Sequence, residues 1–253
     1  MTAPVVIVSG ASRGLGESVA RRLMDMGASV VITARSAERL HRLADEIQSA
    51  GGSALVIPGD LSLVDISKRI VRGTLERFGR IDALVNNAGV LEPLGAFADI
   101  TPTDWEYNLA VNLNGAVNLT HTALPHLRKA GGRVVHISSG AAINPIPGAS
   151  VYSIAKAALN HLNKVLALEE PEICSIALRP GVIDTEMQAV IRRDGMEGMP
   201  AQRYEYFLNL HVQRKLLPPD LPGRAVALLA LYAPREWSGE FIHWDDKRIT
   251  SLS

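Results

Sequence analysis

Short apolar runs recur along this chain, each followed by a segment with helical character. Every run holds about five β-branched or aliphatic residues, and the six runs occupy residues 4–10, 28–35, 53–60, 81–89, 131–139 and 173–181. A strand that is apolar throughout is buried on both faces, and parallel strands need crossover helices that supply this cover. The sequence therefore predicts one α/β domain over residues 1–253, built on a single doubly wound parallel sheet with helices on both faces.

The segments between the runs predict the helices. Ser36 is placed to cap the second helix, and a long helix is expected after Thr103. The least regular stretch is 186–222, which is rich in Arg, Met and Pro. We expect it to be an irregular insertion at the carboxyl edge of the sheet, where it would cover the substrate. The first three helices are predicted over residues 15–27, 36–52 and 62–79.

The composition suits a soluble protein with a large core, since 47% of residues are hydrophobic and 21% are charged. Twenty-six basic residues balance 26 acidic ones, so nothing indicates a nucleic-acid or membrane partner. No apolar stretch reaches the roughly 18 residues of a membrane span, and the opening MTAPVVIVSGASRG leaves no room for a signal peptide. We expect a cytoplasmic protein whose one cysteine, Cys174, is a core thiol.

A glycine-rich turn, SGASRGLG at residues 9–16, follows the first strand and opens the first helix. Glycines let backbone N–H groups approach a pyrophosphate, and the helix N-terminus favours its negative charge. Because a strand precedes the turn and a helix follows it, the turn predicts the dinucleotide site of a Rossmann-like domain. The candidate coenzyme contacts here are Gly10, Ser12, Arg13, Gly14, Leu15 and Gly16.

The end of the second strand indicates which dinucleotide is bound. A carboxylate at this position usually binds a free ribose 2′-hydroxyl, but this strand ends in Ala34 and Arg35. Arg13 lies nearby in the glycine turn. Two guanidinium groups without an acid favour the 2′-phosphate of NADP(H) over NAD. The alternative is that both arginines are ordinary solvated residues.

Tyr152 and Lys156 lie one helical turn apart in the sequence SVYSIAK. The ordinary pKa of a phenol is about 10, and a neighbouring ammonium group would lower it. Such a phenol could deliver a proton to the alkoxide that forms when a ketone is reduced. Taken alone, a tyrosine and a lysine on one helix face are more often a packing pair.

Five motifs, in order, resemble those of the short-chain dehydrogenase/reductase family, and the resemblance spans essentially the whole chain. By this resemblance the catalytic tetrad falls on Asn112, Ser139, Tyr152 and Lys156. Ser139 would hold the substrate oxygen, Lys156 would also bind the nicotinamide ribose, and Asn112 would kink its helix and hold a water in the proton path. The motifs are the glycine turn, NNAG at 86–89, SS at 138–139, YSIAK at 152–156 and RPG at 179–181.

The resemblance also implies further coenzyme contacts and an assembly. Relatives of this kind form homo-oligomers, dimers or tetramers, through the long helices after the fourth and fifth strands, and residues 157–168 are apolar around much of their helix. The implied coenzyme contacts are Asp60 and Leu61 beside the adenine, Asn87, Ala88 and Gly89 along the ribose, and Pro180, Gly181, Ile183 and Thr185 at the nicotinamide end.

Three segments look like the sepiapterin reductase and benzil reductase branch of the family: GVLEPLG, RPGVIDTEMQ and SGEFIHWDD. This likeness implies NADPH-dependent reduction of a vicinal dicarbonyl, such as an aromatic diketone or a pterin side chain. An apolar pocket would suit an uncharged, bulky carbonyl substrate, whereas Arg192 and Arg193 could instead bind an acidic one. The expected apolar lining is Leu91, Ala141, Ala142, Ile143, Pro145, Met187 and Phe207.

Two other functions remain open on the sequence. One is a non-catalytic, NADP-binding redox sensor, since a fold does not determine a function. The other is an NADP-dependent alcohol dehydrogenase that acts on a steroid or sugar-type alcohol. We expect no metal site, because HExxH and CxxC motifs are absent and His121 and His126 lack metal-ligand spacing.

Overall fold

The computed structural model describes residues 2–252, in which seven parallel strands form one sheet in the order β3-β2-β1-β4-β5-β6-β7. The predicted doubly wound parallel sheet is confirmed. The chain builds the sheet outward from β1 in one direction and then restarts beside β1 with β4, so the strand order reverses between them. The strands are β1 Val5–Ser9, β2 Ser29–Thr33, β3 Ser53–Val56, β4 Ala83–Asn86, β5 Arg133–Ile137, β6 Cys174–Arg179 and β7 Phe241–His243.

The seventh strand is one that the sequence did not predict. Its three residues pair in parallel with the end of β6, so that His243 lies beside Arg179. Three residues are too few for a strand periodicity to be recognised in the sequence. β7 therefore forms one edge of the sheet, beside the end of β6.

Ten α-helices flank the sheet within residues 2–252. The long helix expected after Thr103 begins at Pro102, with the Thr101 side chain accepting a hydrogen bond from the N–H of Asp104. A π-helical turn at Ala110–Asn114 interrupts it. The helices are α1 Gly14–Asp25, α2 Ala37–Ser49, α3 Val64–Phe78, α4 Pro102–Leu109, α5 Gly115–Ala130, α6 Ser150–Glu169, α7 Glu186–Gly198, α8 Ala201–Val212, α9 Asp220–Tyr232 and α10 Lys247–Thr250.

Successive side chains along each strand point to opposite faces of the sheet, so the apolar core is divided between the two faces. In β1, Val6 and Val8 pack with α1, α2 and α9, whereas Val5 and Ile7 pack with α3 and α5. Each fully buried Ile, Leu or Val side chain contributes about 1.5–3 kcal/mol to folding. The carboxyl ends of the strands are thereby held at one edge of a rigid, two-sided core.

The stretch 186–222 is mostly helical rather than irregular, which corrects our expectation. It forms α7 and α8 and then leads into α9. Ile191, Met199 and Phe207 from this stretch pack with Leu91 and Tyr152 in a third apolar cluster. The apolar residues of this stretch are buried in this separate cluster and not against the sheet. For this reason the stretch lacked a clear helical pattern of apolar residues in the sequence.

Cys174 lies in β6 and is buried, and its Sγ donates a hydrogen bond to the carbonyl oxygen of Pro234 at 3.2 Å. Burial raises the pKa of this thiol to about 11, so it stays protonated at neutral pH. Among the helices described in residues 2–252, none combines the length and the hydropathy that crossing a membrane requires.

Asn163 on α6 joins this helix to the sheet edge, and we predict that losing it destabilises the fold. Its Nδ2 donates to Glu240 O at 3.0 Å, and its Oδ1 accepts from Ser175 Oγ at 2.8 Å, in a site that is 1% exposed. Asn163→Leu would leave the buried Ser175 hydroxyl without a hydrogen bond, and Glu240 O would keep only its bond from Ala177 N. The free energy of unfolding, measured by urea denaturation, should fall by about 2 kcal/mol.

The exposed neighbour Lys164 provides the control, and Lys164→Leu should leave the free energy of unfolding within about 0.5 kcal/mol of wild type. Equal stability of Asn163→Leu and wild type would show that these two hydrogen bonds do not hold the sheet edge.

Candidate active site

A cleft of about 1060 Å³ runs along the carboxyl ends of the strands. It passes the point where the strand order reverses between β1 and β4, which is where sheets of this kind bind ligands. The glycine turn, the ends of β2 to β6, the start of α6 and helices α7 and α8 all contribute to its lining. A cleft of this size exceeds that of a typical drug-sized pocket and has room for a dinucleotide together with a substrate.

The glycine turn brings the backbone close to one side of the cleft. Gly10 and Gly14 have φ values of +66° and +57°, which other residues rarely adopt. A Cβ at Gly16 would lie 2.3 Å from Gly10 O, so only glycine lets α1 start this close to β1. Arg13 precedes α1 without capping it through its side chain. The first N–H groups of α1 are therefore available for a pyrophosphate, and the turn fits the predicted dinucleotide.

Three guanidinium groups line the end of the cleft where we expect the adenosine of a dinucleotide. Arg13 and Arg35 were predicted there, and Arg39, on the first turn of α2, joins them. Arg35 Nη1 donates a hydrogen bond to the Tyr107 hydroxyl at 2.8 Å. Arg13 and Arg39 lie 3.6 Å and 4.0 Å from the carboxylate of Glu186. The sequence indicated no acid at the end of β2, and the acid that does approach comes from α7.

The middle of the cleft is bounded by the loops after β3 and β4. Asp60 and Leu61 line it, with Asp60 Oδ1 accepting a hydrogen bond from Ser62 N at 2.9 Å. Opposite them, Asn87 Nδ2 donates to Ser9 O at 2.9 Å, which ties the loop after β4 to the glycine turn. The remaining predicted coenzyme contacts also line this cleft. They are Ala88, Gly89, Pro180, Gly181, Ile183 and Thr185.

Lys156 is held beneath the ring of Tyr152 by the strand that faces it. Both side chains are buried, at 3% and 7% exposure. Lys156 Nζ donates to Ile137 O at 2.7 Å and lies 5.6 Å from the centre of the Tyr152 ring. Burial lowers the pKa of Lys156 to about 8, because a low-dielectric site disfavours the ammonium form.

Ser139 follows β5 and meets Tyr152 at the surface of the cleft. Its Oγ accepts a hydrogen bond from Ala141 N at 3.1 Å, and both Ser139 and Tyr152 line the cleft. Burial raises the pKa of Tyr152, and the influence of Ser139 offsets this only in part. The expected pKa below the ordinary value of a phenol is therefore not found, because burial of the phenol is the largest influence on it.

Asn112 lies behind the cleft, in the π-helical turn, and is 1% exposed. Its Oδ1 accepts from Val90 N at 3.1 Å, and its Nδ2 donates to Val90 O and Asn108 Oδ1, both at 2.8 Å. A Cβ on Gly89 would lie 2.8 Å from Asn112 Oδ1, so the glycine allows this close approach. The side chain thus fixes the loop after β4, and the expected kink takes the form of a π-helical turn.

The substrate half of the cleft differs in part from the expected lining. Leu91, Ala141, Met187 and Phe207 line it as predicted. Ala142 and Pro145 face a neighbouring hollow instead, and Ile143 is 63% exposed. The residues that the sequence did not indicate are the apolar Ile146, Val182, Val190 and Ile191 and the polar Asn144, Arg179, Gln188, Arg203 and Tyr206.

Neither of the two arginines considered for an acidic substrate lines the cleft. Arg193 is paired with its neighbour Asp194, with Nε and Nη2 each 2.7 Å from a carboxylate oxygen. Arg192 has a buried Nη1 that makes no hydrogen bond. Within the described part of the chain, no group of three or more His, Cys, Asp or Glu side chains could hold a metal ion.

His136 adds a buried polar group that the sequence did not indicate. It lies in β5, and its Nδ1 is 3.2 Å from Asn86 Nδ2, which also donates to Thr120 Oγ1. Burial, with the nearby charge of Lys156, lowers the pKa of His136 to about 3, so the ring is neutral at physiological pH. It can therefore lie next to a buried ammonium without adding a second positive charge.

The geometry and the sequence comparisons agree on the class of protein. Residues 4–195 match the family model described as short chain dehydrogenase, so the chain belongs to that family and is an oxidoreductase.

Individual relatives include the benzil reductase ((S)-benzoin forming) IRC24 of Saccharomyces cerevisiae, which is 31% identical over 259 aligned residues and 97% of each chain. The structure of the KRED1-Pglu enzyme superposes with a TM-score of 0.91 at 37% identity, covering 94% of this chain and 100% of that one. The short chain dehydrogenase/reductase YIR035C of S. cerevisiae gives a TM-score of 0.94 at 33% identity over 99% of each chain.

Two further solved structures carry nicotinamide coenzymes. A 3-oxoacyl-[acyl-carrier protein] reductase from Brucella melitensis, in complex with NAD, is 30% identical over 99% of this chain and 98% of that one, with a TM-score of 0.84. An alcohol dehydrogenase from Thermococcus sibiricus, complexed with 5-hydroxy-NADP, is 28% identical over 96% of each chain, with a TM-score of 0.80. Together with the family match, they identify the coenzyme of this chain as a nicotinamide dinucleotide.

The burial of Lys156 should cost stability, and we predict that Lys156→Met makes the protein more stable at pH 7. A pKa lowered from 10.5 to about 8 means that the folded state disfavours the charged lysine. After allowance for the lost hydrogen bond to Ile137 O, the free energy of unfolding should rise by on the order of 2 kcal/mol.

The advantage of Lys156→Met should shrink as the pH rises from about 8 to 10.5. In that range the unfolded wild type still binds the lysine proton while the folded wild type has released it, so wild-type stability rises relative to the variant. Urea denaturation at pH 7 and pH 10 measures the change. Lys164→Met, at an exposed site, should show no such trend. A Lys156→Met variant that is less stable than wild type at pH 7 would contradict the conclusion that burial of this lysine costs stability.

Proposed function

We propose that this protein is an NADPH-dependent carbonyl reductase that reduces one carbonyl group of a vicinal dicarbonyl compound. The observation that carries the proposal is that the hydroxyl-bearing residues Ser139 and Tyr152 line one cleft, with the buried ammonium of Lys156 5.6 Å from the centre of the Tyr152 ring. The two hydroxyls line the same cleft as the glycine turn. A carbonyl oxygen bound between them would be held at a fixed position inside the cleft.

The proton chemistry follows from the environment of Tyr152. Because its pKa is raised, the phenol is protonated at neutral pH and is ready to act as a donor. The bound coenzyme would supply the hydride. As negative charge develops on the substrate oxygen, Ser139 would donate a hydrogen bond to it and Tyr152 would transfer its proton. Lys156, beneath the ring, would stabilise the phenolate that remains.

Asn112 is proposed to support this step from behind. It keeps the loop after β4 in place through Val90, and the π-helical turn around it opens the regular helical hydrogen bonding next to Lys156. A helical carbonyl freed in this way could hold the water that returns a proton to Tyr152 through Lys156. Asn112 therefore acts as a positioning residue.

The preference for NADPH is supported by the three arginines at the adenosine end, Arg13, Arg35 and Arg39. A 2′-phosphate can accept several charge-assisted hydrogen bonds from guanidinium groups. The ion pairs of Arg13 and Arg39 with Glu186 are long and more than half of the Glu186 side chain is exposed. Such pairs contribute little, so a phosphate could replace the Glu186 carboxylate without a large loss.

The substrate class rests on the apolar lining and on a relative. Leu91, Met187 and Phe207 give the substrate half an aliphatic and aromatic surface, which suits a bulky uncharged ketone. The relative named as a benzil reductase acts on an aromatic diketone. We propose the same kind of substrate here, with α7 and α8 acting as a cover that excludes water from the reacting groups.

We also propose that the protein works as a homodimer or tetramer. The α6 helix carries Tyr152 and Lys156 on its buried side and exposes Ile154 and Leu168 on the other, at 46% and 84%. Apolar side chains exposed along one helix favour contact with a second copy of the chain. Association through α6 would also stabilise the helix that positions the catalytic pair.

Tyr152→Phe tests the proton donor. The change removes only the hydroxyl, so kcat for benzil reduction with NADPH should fall by about 10²- to 10⁴-fold. NADPH affinity, measured by fluorescence titration, should stay within about twofold, because the ring still packs over Lys156. Tyr232→Phe, outside the cleft, is the matched control and should keep full activity.

Retention of the wild-type rate by Tyr152→Phe would overturn the mechanism. A wild type that binds NADPH tightly yet reduces no carbonyl compound would instead support the non-catalytic redox sensor.

Arg35→Ala tests the coenzyme preference. Loss of charge-assisted hydrogen bonds to the 2′-phosphate should raise the Kd for NADPH about 10- to 100-fold and leave the Kd for NADH nearly unchanged. Calorimetric titration at two salt concentrations measures both values. Arg42→Ala, on the exposed side of α2, is the control and should alter neither Kd. If Arg35→Ala raised the Kd for NADPH and the Kd for NADH equally, a contact between Arg35 and the 2′-phosphate would be contradicted.

A further inference from the structure

Arg179 is a charged residue in the substrate half of the cleft that the mechanism above does not use. It is the last residue of β6, it is exposed, and it lines the cleft. None of the ion pairs in residues 2–252 involves it. Its backbone is fixed, since its carbonyl oxygen accepts a hydrogen bond from Trp244 N at 3.0 Å. Arg179 therefore extends from a fixed position on the sheet and adds a guanidinium group with five N–H donors to the wall of the cleft.

That place is next to the proposed catalytic serine. A Cβ on Gly140 would lie 3.1 Å from Arg179 Nε, 3.2 Å from Nη2 and 3.3 Å from Cζ. The guanidinium group thus lies across Gly140, the residue that follows Ser139, and the absence of a side chain at Gly140 makes room for it. Arg179, Ser139 and Tyr152 all line this cleft.

The other cations in this part of the cleft already have partners. Lys156 donates to Ile137 O, and the Arg203 guanidinium lies 5.0 Å and 4.9 Å from the ring centres of Tyr206 and Phe207. A bulky apolar substrate that enters the cleft would remove water from Arg179. Desolvating a guanidinium group is costly unless the substrate supplies an acceptor for its N–H groups.

A vicinal dicarbonyl supplies that acceptor on the carbon atom next to the one that is reduced. We propose that Arg179 selects vicinal dicarbonyls by donating a hydrogen bond to the second carbonyl oxygen while Ser139 and Tyr152 bind the first. The positive charge also withdraws electrons from the second carbonyl group and makes its neighbour more electrophilic. This inference rests on the proposed carbonyl reductase function and adds the residue that distinguishes a diketone from a simple ketone.

Two substrates that differ by one oxygen test the proposal. Benzil has two adjacent carbonyl groups, and deoxybenzoin has one in an otherwise equal carbon skeleton. Arg179→Met should lower kcat/KM for benzil with NADPH about 10- to 100-fold, because a hydrogen bond from a charged group is lost. For deoxybenzoin kcat/KM should stay within about threefold of wild type. Arg179→Lys, which keeps the charge, should recover part of the benzil activity.

The controls separate recognition from folding. Arg224→Met removes an exposed arginine outside the cleft and should leave both substrates unaffected. If Arg179 only supported the turn at Gly140, its replacement would lower kcat/KM for both substrates equally and reduce the melting temperature. That result, or an unchanged ratio of benzil to deoxybenzoin in Arg179→Met, would overturn the inference.

The outcome for the wild type separates this inference from the function on which it rests. A wild type that reduces neither benzil nor any other carbonyl compound contradicts the proposed function itself. A wild type that reduces benzil, with a ratio that Arg179→Met leaves unchanged, contradicts only the role of Arg179. Phenylglyoxylate provides the last comparison: a kcat/KM at least tenfold above that of benzil, lost in Arg179→Met, would mean that Arg179 binds a carboxylate and would overturn the dicarbonyl assignment.

Discussion

The hydrogen bond from Lys156 Nζ to Ile137 O connects the two elements on which the site depends. It joins α6, which carries Tyr152, to the end of β5, which leads directly to Ser139. The ammonium group is buried under the phenol ring, and its lowered pKa shows that the folded chain holds this charge against its preference for water. A charge placed in this way gains its effect at the moment when the phenol loses its proton, since a phenolate next to an ammonium group is better stabilised than a neutral phenol.

The parallel sheet explains why the proposed coenzyme site and the proposed proton donor share one cleft. Reversal of the strand order between β1 and β4 leaves a crevice at the carboxyl ends, and the glycine turn and Ser139 both follow strands that end there. Hydrogen bonds from Asn87 to Ser9 O and from Asn112 to Val90 O hold the loop after β4 between the two. The position of each reacting group is therefore set by rigid strands and buried amides and not by flexible loops, which is what a reaction with strict geometric demands requires.

The sequence was sufficient for the features that depend on repeated or local patterns. Apolar runs gave six of the seven strands, and Tyr152, Lys156 and Ser139 follow from short motifs whose members meet in the structure. The remaining features depend on contacts between distant segments. β7 is too short to show a period, and Glu186 reaches Arg13 and Arg39 across 173 and 147 residues of sequence. The raised pKa of Tyr152 comes from burial, in a cluster that Tyr152 forms with α7 and α8 and whose packing the sequence does not reveal.

The proposed mechanism requires the substrate oxygen to lie between Ser139 and Tyr152, and a crystal structure of the wild type with NADP⁺ and benzoin measures this directly. We predict that the hydroxyl oxygen of benzoin lies within about 3.2 Å of both Tyr152 Oη and Ser139 Oγ, with its carbon atom facing the nicotinamide ring. Benzoin bound with its hydroxyl away from these two side chains, or a coenzyme bound away from the glycine turn, would contradict the account.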